Sequence, residues 1–114
     1  MGYDTAAKTD PESVVPEEWG GMWFLKEELE TTDLGVSVLE LEPEGKGKEH
    51  DETHTGQEEV YFVVAGTVDI ELPDSDETVT LEADDAIRLD SEETRQIRNR
   101  GDERAKLVLV GAPL

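Results

Sequence analysis

Cysteine is absent from this 114-residue chain, which excludes disulfides, thiolate nucleophiles and cysteine-based zinc sites. Histidine is scarce: His50 and His54 are the only two, so any imidazole chemistry falls on one short segment. Lysine occurs five times and arginine five times, and a polyanion-binding stripe is hard to build from so few cations. Long hydrophobic runs are also missing, whereas a membrane span needs ~20 consecutive apolar residues. The first fifteen residues are polar and acidic, so no secretion signal is expected and the cytoplasm is the expected address.

What is abundant is carboxylate. Thirty Asp and Glu against ten Lys and Arg give a formal net charge of −20. A disordered acidic tail would gather that charge in a block, but here the acids are interleaved with Val, Leu and Ile along the whole chain. The acid-rich stretch Pro73-Asp74-Ser75-Asp76-Glu77 lacks the glycine and the terminal glutamate of an EF-hand loop. The preferred reading is adaptation to a cytoplasm of very high salt, as in a halophilic archaeon. There the Debye length shrinks to ~3 Å at 1 M and crowded carboxylates repel weakly. The same charge argues against DNA, RNA or acidic membranes as partners. Arg88, Arg95, Arg98, Arg100 and Arg104 cluster in sequence, and their expected role is to offset neighbouring acids.

The length suits one domain with a single core. Residues 1–16 have no sustained periodicity and read as a flexible arm, or one ordered by packing, ahead of a single domain over 17–114. Trp19, Trp23 and Phe24 follow the arm and are expected to cap the core, with a subunit contact as the alternative. Residues 26–32 can form a helical turn. From Leu34 the pattern is that of strands: Val68, Ile70 and Leu72 alternate with polar residues, as do Val79 and Leu81, and Ile87 and Leu89 continue the inward set. Pro73 to Glu77 and Asn99 to Asp102 read as turns, and Leu107 to Val110 as a covered central strand. Short strands, regular turns and almost no helix predict an all-β protein with a closed or double-sheet architecture.

The segment from Glu49 to Gly66 sets a polar cluster against one such strand. If it is extended, His50, Glu52 and His54 share a parity and project from one face. In the strand that follows, Glu59, Tyr61, Val63 and Ala65 share the inward face. An imidazole and carboxylates meeting inside a barrel suit a divalent transition metal: Zn, Fe, Ni or Mn.

His54-x4-Glu59-x6-Gly66 resembles the first motif of the cupin family, Gly-x5-His-x-His-x3-4-Glu-x6-Gly. In that register His54 takes the second histidine position, Glu59 the glutamate and Gly66 the closing glycine, and Glu52 replaces the first histidine. The family's second motif, Gly-x5-Pro-x-Gly-x2-His-x3-Asn, lies over Asp84 to Asn99 and keeps only Asn99. Arg95 stands where the histidine that completes the metal site would be. The resemblance implies a cupin double-stranded β-helix, a small jelly-roll barrel, and a homodimer covering the sheet edges. It implies a metal held by His54 and Glu59 with Glu52, and with His50 nearer the rim. It also admits a decayed site in which Arg95 pairs with Glu52 and Glu59 and repels a cation.

Two functions follow. One is a metal-free barrel binding a small polar or anionic molecule through Arg95, Tyr61 and Glu52. The other is a metal-dependent enzyme of the isomerase, dioxygenase or decarboxylase type, using His54 and Glu59 as ligands.

Overall fold

The computed structural model describes residues 2–114 and is built almost wholly of strands. A 3-10 turn at Glu17–Trp19 leads into β1 (Gly20–Phe24), and the helical turn expected after it is α1 (Lys26–Leu29). Seven strands follow: β2 (Gly35–Leu41), β3 (Glu58–Ala65), β4 (Thr67–Leu72), β5 (Glu77–Glu82), β6 (Ala86–Leu89), β7 (Gln96–Arg98) and β8 (Ala105–Ala112). They form an antiparallel five-stranded sheet in the order β1-β2-β8-β3-β6, facing a three-stranded sheet β5-β4-β7. No helix among the described residues is long and apolar enough to cross a membrane.

Alternation decides which side chains go inside. Along β8 each odd-numbered residue from Ala105 to Gly111 is buried and each even-numbered one is half-buried, because the strand is central and paired on both sides. Tyr61 and Val63 of β3, Val68 and Ile70 of β4, Leu81, Leu89, Ile97 and Leu107 make one core between the sheets. The β3–β4 corner turns at Gly66, whose φ is +86°; a Cβ there would lie 2.9 Å from Ala105 Cα, so only glycine fits both the angle and the approach. Asn99, 1% exposed, ties the next corner: its Nδ2 donates to the Leu41 and Glu103 carbonyls, and its Oδ1 accepts from Gly101 N–H.

The arm expected over 1–16 touches the large sheet. Lys8 Nζ donates to Glu40 Oε2 at 2.7 Å and lies 4.3 Å from the Trp23 ring centroid. Val14 N–H donates to Met22 O, and Met22 N–H to Ser13 Oγ, so this segment covers the outer edge of β1. The aromatic residues are less buried than the core reading expected: Trp19 is 53% and Phe24 48% exposed. They flank cavities rather than plugging the barrel. Each of the five clustered arginines reaches a carboxylate, as in Arg98–Glu71, Arg100–Asp69 and Arg104–Glu40.

Candidate functional site

The segment ahead of β3 is the device that builds the site. Residues 44–52 run antiparallel to residues 91–99, joined by Gly47 N–H to Ile97 O, a reciprocal pair between His50 and Arg95 (3.0 and 2.9 Å), and Glu52 N–H to Ser91 O. This rung places His50 directly opposite Arg95. After Glu52 the chain leaves the extended conformation. Asp51 Oδ1 accepts from Thr53 N–H, Thr55 and Gly56 N–H both donate to Glu52 O, and Gly56 takes a φ of +71°. The parity shared by residues 50 and 52 therefore stops before 54.

That turn corrects the expected ligand set. His54 lies on the exposed turn at the cavity rim, whereas His50 points inward. His50, Glu52 and Glu59 each bring one donor atom within 4.8 Å of the others. His50 Nε2 is 3.5 Å from Glu52 Oε2 and 3.9 Å from Glu59 Oε1. His50 Nδ1 lies 3.0 Å from Lys48 O and donates to that carbonyl, which leaves Nε2 facing the carboxylates. The signals that distinguish His50 from His54 were local: an Asx turn at Asp51 and a turn glycine at Gly56.

Arg95 also departs from its expected ligand-gripping role. It is 0% exposed and does not line the cavity. Nη2 lies 3.3 Å from Glu59 Oε1, Nη1 donates to Glu93 O at 2.8 Å, Nη2 is 3.4 Å from Asp90 O, and Nε is buried without a partner. The guanidinium pairs with Glu59 and not, as expected, with both glutamates. Tyr61, 1% exposed, donates from its hydroxyl to the same Glu59 oxygen at 3.1 Å. Burial, reinforced by the Glu59 charge, pushes the phenol far above its ordinary range and keeps it a donor.

Two cavities flank the cluster. One, of about 460 Å³, is walled by Trp19, Met22, Leu39, Leu41, Ile97 and Leu109, with Glu52, His50 and Tyr61 at its polar end and Lys46, Lys48, Asp51 and His54 around it. Glu59 borders the second, of about 350 Å³, with Phe24, Lys26, Gln57 and Leu114; Met22 and Leu109 border both. A larger hollow of about 540 Å³ is a shallow acidic depression lined by Glu58, Asp90, Glu92 and Glu93, and none of the cluster lines it.

The Cupin domain family profile matches residues 37–111. The chain belongs to the cupin family. Solved structures similar to it include a cupin protein from Bacteroides fragilis (22% identity, TM-score 0.76, covering 99% of this chain and 86% of that one). A predicted oxalate decarboxylase from Thermotoga maritima is 19% identical with TM-score 0.77, over 96% of this chain and 99% of its own. KdgF from Halomonas sp. is 16% identical with TM-score 0.75, over 100% and 94%. At these identities the likeness shows the fold, here the double-stranded β-helix of the cupins. No curated protein matches the chain.

Within the cupin frame the donor set can be tested for a metal. Donors sharing one tetrahedral ion at 2.0–2.2 Å stand about 3.3–3.6 Å apart. The 3.5 Å separation meets this, and the 3.9 Å one needs a few tenths of an ångström of closure. Both are too long for hydrogen bonds. The residues fit a divalent ion.

Proposed function

We propose that this cupin binds a small organic molecule in the barrel cavity beside a divalent transition-metal centre formed by His50, Glu52 and Glu59. The observation that carries the reading is the spacing of the three donors, too wide for direct hydrogen bonds and suited to one shared cation. A metal held there supplies Lewis acidity toward an oxygen of the ligand. The chain's own groups set the stage. The Lys48 carbonyl orients His50, while Arg95 and the Tyr61 hydroxyl hold Glu59 Oε1 from the core side. Fold neighbours carry the names of a predicted oxalate decarboxylase and a sugar phosphate isomerase, so shared architecture does not choose a reaction and the site must.

The test is elemental mass spectrometry on untagged protein. Near-stoichiometric Zn, Fe, Ni or Mn is expected in the wild type and in His54→Ala, and its loss in His50→Ala. A wild type that stays metal-free after incubation with these ions sinks the metal centre. It would favour a second reading, motivated by the 3.3 Å Arg95–Glu59 contact: a metal-free binding barrel whose guanidinium takes the place of the ion.

A further inference from the structure

The pairing of the cations singles out the cavity mouth. Lys8 and all five arginines lie in ion pairs; Lys26, Lys46, Lys48 and Lys106 do not, among the described residues. Six of the ten cations are thus paired, and four, all lysines, are not. Lys46 and Lys48 border the larger cavity and Lys26 the smaller, so only Lys106 lies away from both. Two acids, Asp51 and Glu52, border the same cavity: Asp51 Oδ1 accepts from Thr53 N–H, and Glu52 Oε2 faces His50 Nε2 at 3.5 Å. Behind them the wall is apolar, and Trp19, half exposed, offers a ring face to whatever enters.

We propose that the cavity selects an organic carboxylate with an apolar body, its negative group held by Lys46 and Lys48 at the mouth and its body lying on Trp19, Leu41 and Ile97. This deepens the reading above and rests on it for the cavity, not for the metal. A protein of charge −20 repels anions at long range, so two lysines without salt-bridge partners are what favour one at this cavity. The volume, about 460 Å³, suits a molecule larger than oxalate or acetate.

The experiment is calorimetric titration of chelator-treated protein with 4-phenylbutyrate and with its neutral amide, so the absence of a metal leaves the result standing. The carboxylate is expected to bind about five- to ten-fold more tightly than the amide, the sum of two partly exposed charge contacts. Lys46→Gln/Lys48→Gln should erase that preference while still binding both compounds. Lys106→Gln, which removes one positive charge outside the cavities, should keep it. Equal affinity in the wild type, a preference that survives the double variant, or no binding of either compound overturns the proposal.

Discussion

Replacing Arg95 by Met, which keeps the length of the buried stem and removes the charge, tests whether the guanidinium holds Glu59 or faces a ligand. The side chain is 0% exposed and Glu59's is 16% exposed, so the pair is shielded from water on the arginine side and nearly so on the other. Removing one member of such a pair leaves the other charge uncompensated, at a cost of about 3 kcal/mol. Glu59→Gln strands Arg95 on the Glu93 and Asp90 carbonyls and should cost a similar amount. The double variant leaves neither charge behind, so it should lose no more than either single variant, about 3 rather than about 6 kcal/mol, a coupling of about 3 kcal/mol. For a chain this long each single variant should melt about 12 °C lower. Urea unfolding followed by circular dichroism, with unchanged m-values, measures all three losses. Additive losses, or an Arg95→Met cost below about 0.5 kcal/mol as for a surface residue, would refute the buried pair.

Other expectations concern pH and salt. Tyr61→Phe should cost about 1 kcal/mol at neutral pH through the lost Glu59 hydrogen bond. Its alkaline limb should be flatter: above pH ~10 the unfolded phenol ionises while the buried one does not, so wild-type stability falls by about 1.4 kcal/mol per pH unit. Equal alkaline slopes in the two proteins would argue against the buried phenol. Burial raises the Glu40 carboxyl, but the hydrogen bonds from Lys8 and Arg104 outweigh it and hold the group below its ordinary range. Its stabilising contribution is therefore present above pH ~4.5 and lost as pH falls through the depressed value; Glu40→Gln should remove this share of the acid limb, and identical acid titrations would contradict it. We also propose that the −20 charge makes folding salt-dependent. Circular dichroism should show loss of strand signal on transfer from multimolar salt to dilute buffer, and an unchanged spectrum counts against that.

The β-rich class was legible because strand alternation is a property of neighbouring residues. Val68, Ile70, Leu81 and Leu89 were placed inside by period alone, and Asn99 marked a turn by residue type. The carboxylate excess and the absence of cysteine likewise bounded the chemistry before any fold was known. The site was legible only in its vocabulary, two histidines, two glutamates, a tyrosine and an arginine. Parity assumed an extended chain through residue 54, and four residues of turn after Glu52 were enough to turn His54 outward and leave His50 as the inward imidazole. The Arg95–Glu59 pair could not be fixed from sequence, because Glu59 is brought to Arg95 only when β3 pairs with β6, while the carbonyls of residues 90 and 93 are local to it. Local composition thus determined which elements form and which chemistry is available. Long-range pairing decided which of those side chains share a cavity, because distances between residues tens of positions apart are set by sheet closure and not by anything either segment encodes alone.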